Sequence, residues 1–425
     1  MQPLQSLKNK YIIMNDQSKN ILLEVEQNRV ELTFLDIGER HTWVREFISS
    51  DSGDFDRLGT AIGNNTHLKE LMITNFSNNV TLNTTNRRFY DGIRQNSSIT
   101  ELNLHYITPR PEDRVRYNSI AGVALEVLRA CQEKNILTKL NMNTMPLANL
   151  AEEYRFVESL RGFTNLREIT FIHSNISDVQ LLPIVEAIRG HGLLERLNLM
   201  KNNIGNVGCE ALATLRRNVA KLNLSGNNIG NEGIIAIINS LPVNNHLRDL
   251  TIGENQFDLQ SVAGNLCTSL CNTSSINNIY SSNHTLERIT CAYGDFFVGR
   301  LATLLKLNES RNKRHVGSKK ILLYSPHIDM EPLFDLSLEG DDSERDLKAL
   351  PYMISWFETA AVAIESGEYE DEEFQTFMMK VTNNLDGRKL SAIYQFATAM
   401  PMLFVPATHH DKGNIKKRKR SMSID

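Results

Sequence analysis

LERLNLMKNNI (194–204), VAKLNLSGNNI (219–229) and LRDLTIGENQF (247–257) share one template, L-x-x-L-x-L-x-x-N-x-(I/F). Alternation of polar and apolar residues over positions three to six is the period of a strand with one face in a core. The asparagine at position nine stands where the chain leaves that strand. There the backbone loses its ladder partners, and a short amide side chain can bond them. Asn202, Asn227 and Asn255 hold that place.

Looser copies begin at Leu68, Ile99, Leu137, Leu166 and Leu286, and a weaker one at Val30. From Leu68 onward the starts are 31, 38, 29, 28, 25, 28 and 39 residues apart. An interval of about 28 residues leaves room for a full α-helix after each strand. The sequence between the strands fits this: Leu181, Ile184, Val185 and Ile188 form one helical stripe. So do Ala124, Val127, Leu128 and Cys131, and Ile234, Ile237, Ile238 and Leu241. At position nine the looser copies carry Phe76, Ile107, Met145, Ser174 and Gly294, so the asparagine ladder is expected to break there. The long intervals predict insertions at 109–119 and 271–284.

These units resemble ribonuclease-inhibitor-like leucine-rich-repeat proteins, a set that includes ribonuclease inhibitor, intracellular immune-receptor repeat domains and the Ran GTPase-activating proteins. Ser274-Ser275-Ile276, Ser282-Asn283-His284-Thr285-Leu286, Leu350-Pro351 with Ile354-Ser355-Trp356, and Met400-Pro401 with Leu403-Phe404 are similar to a set of algal proteins of this kind. The resemblance implies an α/β horseshoe solenoid, with a parallel β-sheet on the concave face and α-helices on the convex face. With five Cys and two Trp, the chain departs from ribonuclease inhibitor itself, so ribonuclease binding is not carried over.

The expected organisation is an N-terminal cap (1–29), about eight or nine repeats (30–311), a helical C-terminal cap or subdomain (312–405) and a disordered basic tail (406–425). Apolar helical segments after residue 311 motivate the cap, because a last repeat would otherwise expose its core.

Positions four and six of the template should face the core and positions three, five and seven the concave surface. Position three reads Glu70, Glu101, Lys139, Glu168, Arg196, Lys221, Asp249 and Arg288, acidic toward one end and mainly basic toward the other. Position five reads Met72, Asn103, Asn141, Thr170, Asn198, Asn223, Thr251 and Thr290, nearly all small and polar. One reading of these rows is mutual support between neighbouring strands. The other is a docking surface with a graded potential that orients a protein partner. Phe89, Tyr90, Tyr106, Tyr280 and Tyr293 are candidate aromatic contacts near the loops.

The formal net charge of −4 gives no global attraction to nucleic acid or anionic membranes. A nucleic-acid contact would have to come from the cluster Lys416, Lys417, Arg418, Lys419 and Arg420, which also reads as a nuclear-import signal. No run approaches the ~20 apolar residues that cross a bilayer. The expected location is therefore cytoplasmic, nuclear or both. Asn-x-Ser/Thr triplets such as Asn79-Val80-Thr81 and Asn283-His284-Thr285 are taken to follow from a high asparagine content. Five scattered cysteines suggest packed thiols rather than a disulfide framework.

No metalloprotease, nucleophile-elbow, Walker or paired C-x-x-C motif is present, and no cofactor is expected. The Gly226 to Gly233 segment lacks the lysine of a phosphate loop and is read as a strand-to-helix turn. Cys267 and Cys271, His409-His410 and the acidic stretch 365–373 are weak metal or cation candidates. The expected function is a non-enzymatic protein-interaction scaffold or adaptor. The alternatives are a GTPase-activating protein for a small GTPase, using loop arginines such as Arg110, Arg114 and Arg116, and an immune-type regulatory sensor.

Overall fold

The computed structural model describes residues 16–38, 46–49, 51–74, 82, 84–105, 117–144, 153–215, 219–291, 299–310 and 313–324. The chain divides into two units, Met1–Lys313 and Arg314–Asp425. Of the second unit only helix α12 (Lys313–Tyr324) is described, and its first residue belongs to the first unit. The expected cap beyond that helix and the basic tail lie outside the described residues.

The first unit is built on one ten-stranded parallel sheet. After helix α1 (Asp16–Glu26) come β1 (Phe34–Ile37), β2 (Glu46–Phe47) and α2 (Ser52–Asn64). Strand and helix then alternate: β3 (Glu70–Thr74), α3 (Arg87–Gln95), β4 (Glu101–His105), α4 (Tyr117–Gln132), β5 (Lys139–Asn143), α5 (Glu153–Gly162), β6 (Glu168–Thr170) and α6 (Asp178–Ile188). The series continues through β7 (Arg196–Asn198), α7 (Asn206–Leu212), β8 (Lys221–Asn223), α8 (Asn231–Ser240), β9 (Asp249–Thr251), α9 (Leu259–Leu270) and α10 (Ile276–Tyr280) to β10 (Arg288–Thr290) and α11 (Gly299–Asn308).

From β3 to β10 the strands lie side by side in chain order. At the other edge β1 sits between β3 and β2, so the two-residue strand β2 forms the outermost position. No copy of the template anticipates that strand. Helix α1 packs against it, and the Ile48 N–H donates to Ser18 Oγ at 2.9 Å.

The core lies between the sheet and the row of helices. Positions four and six are buried in the repeat strands from Leu71 and Ile73 through Leu140 and Met142 to Leu250 and Ile252, and in the last repeat Ile289 is buried while Cys291 is half-buried. The three helical stripes read from the sequence are buried as well. Leu222 of β8, Leu212 of α7 and Ile237 of α8 line one small shared cavity, which places strand and helix faces opposite each other. Phe89 and Tyr90 also belong to this core, correcting their expected role as surface contacts. Phe89 meets Phe55 edge to face at 6.0 Å, and Phe55 meets Phe47 at 5.7 Å.

Two glycines set the closest helix pair. A Cβ on Gly92 of α3 would stand 1.8 Å from the Gly59 carbonyl oxygen of α2, so these helices touch backbone to backbone.

At the strand exits, position eight adopts the left-handed region in each described layer from Thr144 (φ 57°) through His173 (57°), Lys201 (55°) and Gly226 (68°) to Glu254 (55°). Only one of these is glycine, although that region costs other residues steric energy. In the last three of these layers the asparagine that follows, Asn202, Asn227 or Asn255, ties the bend to the backbone of its own strand, whereas Ser174 follows His173.

Asn202 Nδ2 donates to Phe171 O (2.7 Å) and Leu199 O (2.9 Å), while its Oδ1 accepts from Ser174 N and Ile176 N. Asn227 and Asn255 repeat the pattern one and two layers on. Ser174, where a break is expected, carries the ladder partway, because its hydroxyl reaches back to Met142 O at 2.9 Å.

Candidate protein-binding face

The sheet register aligns the two expected rows. Glu70, Glu101, Lys139, Glu168, Arg196, Lys221, Asp249 and Arg288 are successive partners across eight strands. Met72, Asn103, Asn141, Thr170, Asn198, Asn223, Thr251 and Thr290 are successive partners two residues on. Because strand side chains alternate, both rows face away from the core. Arg196, Lys221, Arg288 and Thr290 are exposed, Asn103 and Thr170 are buried by their neighbours, and the others are intermediate.

The charged row contains four acids and four bases, and most of them pair within it. Lys139 Nζ lies 2.8 Å from Glu101, and Arg196 Nη1 lies 3.1 Å from Glu168. Asp249 receives Arg288 in a forked contact (2.7 and 3.1 Å) and Lys221 Nζ at 3.1 Å. Burial pushes the Asp249 carboxyl up, but hydrogen bonds and charge from Arg288 and Lys221 outweigh it and hold the group below the usual carboxylate range. The hydrogen bond to Glu101 raises Lys139. A second line of pairs runs beside the row, Arg167 with Glu195 at 2.8 Å and Arg248 with Glu287 at 3.3 Å. Such exposed pairs contribute ~0–1 kcal/mol each, so their main effect is to fix side-chain positions and flatten the expected potential gradient.

The position-five amides fall into two groups. Asn103 Nδ2 donates to Glu70 Oε1 at 2.6 Å, and Asn141 Nδ2 donates to Asn103 Oδ1, so these serve the sheet. Asn198 and Asn223 instead accept with Oδ1 from the N–H groups of Met200 (3.1 Å) and Ser225 (3.0 Å) on their own strands. Their Nδ2 groups meet no acceptor among the described residues.

A second asparagine ladder holds the other end of the strands and escaped the sequence reading. Asn65, Asn96, Asn244 and Asn283, each three residues before position one, are buried. Asn96 Nδ2 donates to Ile62 O (2.7 Å) and Asn65 O (2.8 Å), while Oδ1 accepts from Ser98 N and Ile99 N. Asn283 does the same with Leu241 O, Asn244 O, Thr285 N and Leu286 N. The triplets Asn96-Ser97-Ser98 and Asn283-His284-Thr285 therefore hold buried turns together, and the signal for them is the fixed offset from the following Leu or Ile.

His191 occupies this same offset before Leu194. Burial lowers its pKa, while hydrogen bonds with the backbone of Leu160 and Arg161 partly oppose that shift.

Among the other candidates, Tyr280 is exposed on α10, inside the 271–284 insertion. Gly226 takes the left-handed turn, and Gly230 caps α8. Burial raises the Cys131 and Cys209 thiols to about 12, leaving them as small apolar groups. No cluster of three or more metal-ligating side chains occurs among the described residues. No described helix is long and apolar enough to cross a membrane. Arg110, Arg114, Arg116, Tyr106, Tyr293, the 365–373 stretch, His409-His410 and Lys416 to Arg420 lie outside the described residues.

A leucine-rich-repeat family model matches residues 193–213 and 217–237, which carry the layers of β7 and β8. These layers are leucine-rich repeats. Together with the ten parallel strands and alternating helices, the match makes the first unit an α/β leucine-rich-repeat solenoid. No curated protein sequence matches the chain.

Solved structures similar to it include leiomodin-1 actin-binding site 2, at 17% identity and TM-score 0.26, covering 48% of this chain and 91% of that one. Another is an internalin (inlF) from Listeria monocytogenes str. 4b F2365, at 15% identity and TM-score 0.22, covering 58% and 86% respectively. At these scores neither adds to the topology above.

Proposed function

We infer that the chain is a protein-interaction scaffold of the ribonuclease-inhibitor-like subtype, binding its partner through the open face of the leucine-rich-repeat sheet and the loops at its rim. The observation that carries this reading is the pair of side-chain rows held in register across eight strands, with exposed members toward β10. A solenoid devotes its helices and alternate strand positions to the core, and its other sheet face is the broad surface left for a partner. Support for the subtype comes from the complete α-helix between most successive strands and the repeat of about 28 residues.

The face to which this assigns binding comprises Glu70, Glu101, Asn103, Lys139, Asn141, Glu168, Arg196, Asn198, Lys221, Asn223, Asp249 and Arg288. Within the same reading, Lys416 to Arg420 direct the protein to the nucleus, so that it works in both cytoplasm and nucleus.

The test is steric. Thr251→Arg with Thr290→Arg fills the open face, whereas Val179→Arg with Val207→Arg alters the exposed side of α6 and α7. Co-purifying proteins should be lost from the first variant and kept by the second. Equal retention by both would remove the open face from the function.

A further inference from the structure

We propose that strands β7 and β8 form a carboxylate-binding site on the open face, which receives a single acidic side chain of the protein partner. This rests on the reading of that face as the binding surface.

The first observation is a fault in the charge pattern. From Glu101 to Arg196 the in-register row alternates acid, base, acid, base, and from Lys221 to Arg288 it alternates base, acid, base. At the junction two bases face each other, because Arg196 is the register partner of Lys221. Like charges directly opposite on neighbouring strands are unfavourable. The comparable fault between Glu70 and Glu101 has the Asn103 amide beside it, donating to Glu70. Between Arg196 and Lys221 no acid intervenes: Arg196 turns back to Glu168 and Lys221 forward to Asp249. Both heads remain about half exposed, with side-chain exposures of 54% and 50%.

The second observation is independent of charge. Asn198 and Asn223 stand two residues on in the same two strands, and they are register partners of each other. Each bonds its own strand through Oδ1, which fixes the amide orientation and leaves Nδ2 as a donor without an acceptor among the described residues.

Two cations and two amide donors are thus gathered on adjacent strands ~4.8 Å apart. A carboxylate, which accepts up to about four hydrogen bonds and is shortened and strengthened in its contacts by cationic donors, matches that set. The flanks limit the ligand further. Glu168 and Asp249 lie one strand away on either side, so a polyanion running along the row would meet them. The fitting partner segment carries one Asp or Glu among uncharged residues, with Thr170 and Thr251 beside it in the second row.

The test uses acetate as the probe and the full chain labelled with ¹⁵N-asparagine. Acetate should produce saturable shifts in the side-chain amide resonances of Asn198 and Asn223 while those of Asn103 and Asn141 stay in place. Lys221→Gln should weaken that response by about tenfold, as expected for loss of one charge-assisted hydrogen bond. Unchanged Asn103 and Asn141 resonances would show that the variant remains folded. Failure to saturate, or the same response in Lys221→Gln, overturns the proposal, and tighter saturation by inorganic phosphate overturns the carboxylate assignment. None of these outcomes decides the steric test above, so a partner can still bind the open face when the carboxylate site fails.

Discussion

Replacing Asn227 by Ala isolates what the position-nine ladder contributes. Asn227 Nδ2 donates to Leu199 O (3.0 Å) and Leu224 O (2.9 Å), but neither carbonyl is stranded by its loss. Leu199 O keeps Asn202 Nδ2 at 2.9 Å, and Leu224 O keeps Asn255 Nδ2 at 3.0 Å. The Ile204 N–H, 3.1 Å from Asn227 Oδ1, loses its side-chain acceptor inside the protein. An orphaned buried donor costs ~1–3 kcal/mol, and each of the two lost neutral bonds adds ~1 kcal/mol, so the substitution should destabilise by about 3–5 kcal/mol.

Asn198→Ala is the matched control, since it deletes the same side chain from the open face. It loses one bond, to Met200 N, where water can replace the amide, so its cost should stay under ~1 kcal/mol. Urea denaturation followed by circular dichroism gives the two stabilities. A repeat array need not unfold in one step, so amide exchange at Ile204 supplies a local reading. Its protection should fall in Asn227→Ala alone. Equal stabilities for the two variants, or unchanged exchange at Ile204, would refute the shared-carbonyl ladder.

Three further outcomes follow from particular contacts. Gly92→Ala would drive a methyl into the Gly59 carbonyl, and it should cost about 3 kcal/mol in denaturation experiments. Gly264→Ala, with nothing within 4 Å, should instead be stabilising by ~0.5–1 kcal/mol. Because burial lowers the folded-state pKa of His191 below the ordinary 6.5, the folded form binds fewer protons than the unfolded form as the pH falls through 6.5. Stability should be complete above that pH and decline below it, and comparison of denaturation midpoints with His191→Asn, which restores the ladder amide, should show the decline reduced. Deleting residues 416–420 should move a fluorescent fusion of the protein out of the nucleus, and an unchanged distribution would dismiss the import signal.

The strand faces and helix stripes were legible because burial imposes its period directly on residue type. Leu197 and Leu199, or Ile234, Ile237 and Ile238, name their own environment. The position-nine asparagines were legible for a similar reason, since a recurrent amide at a strand exit has few other uses. The second ladder was hidden because Asn96 and Asn283 sit in common surface-like triplets, and only their distance from the next repeat start distinguishes them.

Strand β2 was invisible for want of length: two residues, Glu46 and Phe47, carry no period. Phe89 and Tyr90 were misjudged because a helix starting between two repeats has no template to orient it. The open-face rows were correctly aligned by sequence, but the potential read from them treated each charge alone. Pairing across strands removes most of that gradient and leaves the Arg196 and Lys221 junction as its principal feature.

The most direct test of the open face as the binding surface is site-specific photo-crosslinking in the full chain, with benzoylphenylalanine placed singly at Thr251, Thr290, Val179 or Val207. The first two positions lie in the second open-face row, and the last two are exposed on α6 and α7. The account predicts one discrete protein adduct shared by the Thr251 and Thr290 probes and absent from the Val179 and Val207 probes. Adducts formed only from α6 and α7, with none from the open face, would contradict it.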